Sequence, residues 1–74
     1  MLKSEFELII PQFEDWLSKK GYKTYPITGQ YEIMRFKNNN SPMNIIFFNK
    51  DGHITKMTGD AELLFDEFNK INFM

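Results

Sequence analysis

Residues 44–57 read NIIFFNKDGHITKM, and this stretch decides the fold. Asn44–Asn49 is a continuous run of bulky apolar side chains between asparagines, and His53–Met57 alternates loosely between apolar and polar. Between them, Asn49-Lys50-Asp51-Gly52 is a tight-turn sequence, because glycine accepts the positive φ that hairpin turns require. Upstream, Tyr31–Lys37 (YEIMRFK) alternates in the same way, and Asn38-Asn39-Asn40-Ser41-Pro42 makes a looser turn by the same chemistry. Two tight connections give three antiparallel strands, over about 31–37, 44–49 and 53–57.

On either side of this core the apolar period changes from 2 to 3.6. Leu2, Phe6, Ile9, Ile10, Phe13, Trp16 and Leu17 fall within an arc of about 120° at helical spacing, which predicts an amphipathic helix over about 4–20. Ser4 and Glu7 have capping-box spacing, and Gly21 after Lys19-Lys20 is a matching stop. Pro11 removes one hydrogen bond, yet the stripe keeps phase across it, so one helix with a bend is expected. Ala61, Leu64, Phe65, Phe68 and Ile71 predict a second helix over about 60–72, with Thr58-Gly59-Asp60 as its cap. Leu63 and Phe73 lie outside that stripe.

The expected fold is therefore α+β, αβββα, a three-stranded antiparallel sheet with both helices packed on one face. Residues 21–30 form the one longer loop. A strand covered on one face should alternate, yet Ile45, Ile46, Phe47 and Phe48 place apolar groups on both faces. Either the second face is open beside Arg35 and Lys56, which marks an interaction surface, or the loop with Tyr22, Tyr25 and Ile27 folds over it.

Composition bounds what such a domain can do. The 74 residues, 8.9 kDa, make a single domain, 1–74, with 42% hydrophobic residues including 8 Phe, 3 Tyr and 1 Trp. A chain this small buries only about 60% of its unfolded surface, so its core must be dense. The absence of cysteine excludes disulfides, thiol nucleophiles and thiolate zinc sites. No apolar run approaches the roughly 18 residues of a membrane span, and MLKSEFELII is too short and too acidic for a secretory signal. A soluble, cytoplasmic protein with no membrane partner is expected.

The net charge of −1 conceals a pattern. Residues 1–18 set Lys3 against Glu5, Glu7, Glu14 and Asp15, net −3. Residues 19–58 carry net +5, and residues 59–74 net −3. The chain is acidic, basic, acidic, and local fields rather than the total decide what a surface attracts.

Catalytic chemistry finds no constellation. His53 is the only histidine, and one His without Cys cannot build a standard metal site. Ser4, Ser18 and Ser41 have no neighbouring base, the pairs Glu14-Asp15 and Asp66-Glu67 solvate helix faces, and the glycines are too scattered to cradle phosphate. No catalytic residue, metal or cofactor is expected, and the protein is read as a non-enzyme.

Binding readings remain. The order αβββα is similar to the topology of double-stranded-RNA-binding domains. Their second helix begins with a lysine cluster that grips phosphates, whereas here it begins Thr58-Gly59-Asp60-Ala61-Glu62, which repels them. The basic, tyrosine-bearing middle segment suits single-stranded RNA instead, where aromatic rings stack on bases and cations follow the backbone. The candidate residues are Tyr22, Lys23, Tyr25, Tyr31, Arg35, Lys37, His53 and Lys56.

The stretch Tyr31–Lys37, then Ile45–Phe48, then Asp51-Gly52-His53-Ile54-Thr55 and Gly59-Asp60-Ala61 resembles small accessory proteins of tailed bacteriophages, which serve host takeover or anti-defence. In them a "YE-apolar-apolar-R" strand precedes a hairpin and a "G-x-A" helix start. The resemblance implies a protein that binds and antagonises a host or defence factor, such as an RNA-cleaving toxin or nuclease, in the host cytoplasm. That is the first functional expectation, with RNA binding the alternative. A homodimer is expected for the binding domain itself, and a purely structural homodimer is the third functional expectation, Phe47 or Phe48 pairing across a two-fold axis, with Leu63 and Phe73 as further interface candidates.

Overall fold

In the computed structural model, which describes residues 1–72, the chain runs α1 (Lys3–Lys19), β1 (Lys23–Tyr25), β2 (Glu32–Lys37), β3 (Asn44–Phe48), β4 (Ile54–Met57) and α2 (Ala61–Asn72). All neighbouring strands pair antiparallel in the order β1-β2-β3-β4. The α+β class holds, and the strand count is corrected from three to four. The added strand lies in the segment expected to be a loop. Lys23, Thr24 and Tyr25 are all exposed, so β1 carries no apolar alternation. Its place is set by backbone pairing with β2, Lys23 opposite Lys37 and Tyr25 opposite Arg35. With the order αββββα, the topological similarity to double-stranded-RNA-binding domains lapses.

Helix α1 passes unbroken through Pro11, which is exposed. It begins two residues earlier than Ser4–Glu7 capping requires, with Leu2 rather than Ser4 at the N-cap. The Leu2 backbone N–H instead donates to Glu5 Oε1 at 2.9 Å. Its end is a Schellman turn: Gly21 N–H donates to the Ser18 carbonyl and Tyr22 N–H to the Leu17 carbonyl, each at 3.0 Å, with Gly21 at φ +91°. The β3–β4 hairpin closes as a three-residue loop. Gly52 N–H donates to the Asn49 carbonyl at 3.0 Å, Asn49 N–H to the His53 carbonyl at 2.8 Å, and Gly52 takes φ +80°. The Asn49 side-chain oxygen accepts from both Asp51 and His53 N–H, at 3.0 Å each.

Both helices cover one face of the sheet. Phe6, Phe13 and Leu17 of α1 and Ala61, Leu64, Phe65 and Phe68 of α2 bury against Met34, Phe36 and Ile46. Phe13 sits at the centre, its ring 5.0 Å from Phe68, 5.5 Å from Phe65, 5.8 Å from Phe36 and 6.0 Å from Trp16. Two members of the expected stripes fall outside this core: Leu2 precedes the helix and Ile71 is exposed. Among the described residues, no helix is long and apolar enough to cross a membrane.

Asn44, fully buried at the start of β3, ties the sheet to α2. Its Oδ1 accepts the Asp60 backbone N–H at 2.8 Å, supplying from another element the acceptor that a helix start requires. Gly59, at φ +60°, leaves no room for a Cβ against that same oxygen.

Candidate nucleic-acid interface on the open sheet face

Residues directly opposite in an antiparallel ladder share a face, so the register sorts the sheet. Phe36, Ile46 and Met57 point toward the helices with Met34 and Asn44. The other face carries Lys23 opposite Lys37, then Tyr25 opposite Arg35 opposite Ile45, then Glu32 opposite Phe47 opposite Lys56. Among the described residues, no helix or strand packs over these rows. The segment expected to be a loop forms edge strand β1, leaving Tyr25 38% and Ile27 52% exposed, and then turns over the Glu32 end of the face, where Thr28 and Gly29 meet the buried Glu32 carboxylate.

Two bulges set which residues reach this face. Glu32 and Met34 oppose the consecutive residues Phe47 and Ile46, so Ile33 is the extra residue of β2. Ile33 packs against the core, and Glu32 comes onto the outer face with Arg35. There the Arg35 guanidinium donates to both carboxylate oxygens, Nε to Oε1 and its second nitrogen to Oε2 at 2.9 Å. Thr28 N–H adds a third, longer bond at 3.5 Å. The Arg35 hydrogen bonds hold the Glu32 carboxyl below its ordinary value of 4.5, against burial, which acts the other way. Gly29 lies so close that a Cβ there would collide with the Glu32 carboxylate. In β4, Thr55 is the second extra residue, because Phe48 pairs Ile54 while Phe47 pairs Lys56.

The two layers differ in charge. Glu5, Glu7, Glu14 and Asp15 of α1 and Glu62, Asp66 and Glu67 of α2 are all exposed in the helix layer. Lys19 and Lys20 serve that layer too, pairing Asp15 at 3.1 Å and Glu67 at 3.3 Å. The open face holds Lys23, Lys37 and Lys56 with Tyr25 and Phe47. Its one carboxylate, Glu32, is matched by Arg35. Lys56 lies over the Phe47 ring, 5.9 Å from its centroid.

The candidates read from sequence divide accordingly. Lys23, Tyr25, Lys37 and Lys56 come together on the open face. Arg35 joins them, but its charge is already answered by Glu32. Tyr22 is not brought to them: its ring packs edge-on to Phe36 at 5.8 Å, on the core side. Tyr31 stands at the margin, edge-on to Phe48 at 5.6 Å. His53 belongs to none of the cross-strand rows and makes a backbone bridge to Leu2. Among the interface candidates, Phe47 is on the open face and Phe48 is half-buried beneath the Lys3 ammonium, 4.6 Å from its ring centroid. Leu63 is 71% exposed in the helix layer, and Phe73 lies outside the described residues. Sequence reading missed Glu32 as the partner of Arg35, although adjacent Ile33 and Met34 interrupt the alternation as a bulge does.

Among the described residues, no three His, Cys, Asp or Glu side chains gather into a group that could hold a metal. No protein-family model, curated protein or solved structure matches the chain.

Proposed function

We propose that this chain is a non-catalytic binding domain whose working surface is the open sheet face, and that its ligand is single-stranded RNA. The observation that carries the reading is the segregation of the two layers: three ammonium groups and two aromatic rings share the open face, while seven exposed carboxylates stand in the helix layer and Asp51 lies on the hairpin loop. Single strands are bound by this combination, with rings stacking on bases and cations following phosphates. A four-stranded antiparallel sheet with central-strand aromatics is also the platform of a common RNA-binding module, an analogy at the level of the fold alone. The resemblance to phage accessory proteins adds a setting, in which occupying RNA antagonises a host or defence nuclease that cleaves it.

Amide chemical-shift mapping of the labelled protein with a short oligoribonucleotide tests the reading. Shifts gathered on residues 23–25, 35–37, 45–47 and 55–56 support it. Shifts gathered on α1 and α2, or none at saturating RNA, contradict it and turn the search to a protein partner or a second copy of the chain.

A further inference from the structure

A surface cleft of about 490 Å³ opens at the edge of the same face, where the start of β2 meets the β3–β4 hairpin. Three aromatic residues wall it, Tyr31, Phe47 and Phe48, together with Lys50, Thr55 and Lys56. The chain makes this hollow through its second bulge: Thr55, the unpaired residue, is exposed and lines the cleft. Tyr31 is fixed there by its own backbone, whose carbonyl accepts the Phe48 N–H at 2.9 Å.

The lining contains no carboxylate. Two other clefts carry carboxylates: the one between α1 and β1 brings Glu14 and Asp15 beside Lys23, and the one between β4 and α2, which shares Thr55 and Lys56 with this hollow, brings in Glu62 and Asp66. Aromatic walls, a hydroxyl and two ammonium groups suit a flat ring system joined to an anion. The volume lies in the range of roughly 300–1,000 Å³ typical of small-molecule sites.

We propose that this cleft holds one nucleotide of the bound strand, its base against Tyr31 and Phe47 and its phosphate between Lys50 and Lys56. The proposal rests on the open-face reading and deepens it, because it names where the strand is anchored. A base arriving on Phe47 takes the ring face that Lys56 now covers, which leaves the Lys56 ammonium to the phosphate. The lysine pair at the far side of the face, Lys23 and Lys37, then carries the strand onward without a base-sized hollow.

The test titrates the full chain with adenosine and uridine 5′-monophosphates, with ribose 5-phosphate as the control lacking a base. The nucleotides are expected to shift the amides of Tyr31, Phe48 and Thr55 at millimolar concentration, and ribose 5-phosphate is not. In parallel, Tyr31→Ala is expected to weaken oligoribonucleotide binding by about fivefold or more, the size of one lost stack, while Tyr31→Phe retains it. Circular dichroism of both variants checks that they are folded. If the unsubstituted protein and Tyr31→Ala bind the oligonucleotide equally and mononucleotides shift nothing, the cleft assignment is overturned and the open-face reading stands. If the unsubstituted protein binds no oligonucleotide, both are overturned together.

Discussion

Glu32 and Arg35 are three residues apart on one strand, a spacing that ordinarily places side chains on opposite faces, and they meet as a two-point carboxylate–guanidinium pair on the same face. The bulge at Ile33 makes this possible by shifting the phase of β2 once. The pair anchors the Thr28–Gly29 approach to the sheet and removes Arg35 from the free cations of the open face.

The pair gives stability a pH dependence of fixed sign. A carboxyl whose folded-state value lies below its unfolded value binds fewer protons when folded, so it stabilises above the unfolded value and that contribution fades as pH falls through the folded one. Urea midpoints are expected to hold steady from pH 7 to about the ordinary glutamate value of 4.5 and to decline below it. Glu32→Gln is expected to be less stable at pH 7 and to show a shallower acid decline. An identical acid profile in the variant would remove Glu32 from the account.

Two glycines with left-handed backbone should respond differently to alanine. Gly21, at φ +91°, has nothing within 4 Å of an added Cβ, so Gly21→Ala meets backbone strain alone, about 1–2 kcal/mol. Gly59→Ala meets the same strain plus collision with Asn44 Oδ1, whose acceptor role at the start of α2 it disturbs. Chemical denaturation is expected to show Gly59→Ala as the more destabilised by at least about 1 kcal/mol. Equal losses would mean that Asn44 yields freely.

Phe13 is fully buried and touches rings from α1, β2 and α2. Truncation to alanine should cost about 3–5 kcal/mol. That is comparable to the whole stability of a domain this size, about 4–11 kcal/mol. Phe13→Ala is expected to be largely unfolded at 37 °C by circular dichroism. By contrast, Leu8→Ala, at a position 82% exposed, should change the melting temperature little.

Local chemistry made much of this fold legible. Asn49-Lys50-Asp51-Gly52 reads directly as a turn because glycine at the third loop position and the asparagine side chain satisfy it without outside help. The helices read from their stripes, and Ile45–Phe48 showed that apolar groups reach both faces without separating an open second face from one covered by the loop. Strand β1 was illegible because Lys23-Thr24-Tyr25 buries nothing and is held by pairing with residues ten or more positions away. Tyr22 and Tyr25, three residues apart in extended chain, end on opposite sides of the sheet by simple alternation once β1 is recognised as a strand. The answering of Arg35, a candidate from sequence, by Glu32 was hidden because that partner reaches it only through the bulge. Lys50 and Thr55 drew no notice, since their meeting with Tyr31 depends on how the hairpin closes.

Charge reversal on the open face should act on binding without harming the fold, since Lys23 and Lys56 are exposed and Lys37 half-buried, none of them in a described ion pair. Lys23→Glu with Lys37→Glu is expected to weaken oligoribonucleotide binding about tenfold or more at low salt, measured by fluorescence anisotropy. Glu14→Lys with Asp15→Lys, on the helix layer, is expected to change it far less. Equal effects from the two pairs would show that only net charge matters.

The most direct test of the central claim is the salt dependence of that binding in the unsubstituted protein. If Lys23, Lys37, Lys56 and Lys50 each neutralise about one phosphate, the logarithm of the affinity should fall against the logarithm of salt concentration with a slope of about −2 to −3. The triple variant Lys23→Glu, Lys37→Glu, Lys56→Glu, which keeps only Lys50 of the four, should then show a slope no steeper than about −0.7 and little binding. A flat slope in the unsubstituted protein, or no binding at low salt, would contradict the assignment of the open sheet face to a single strand of RNA.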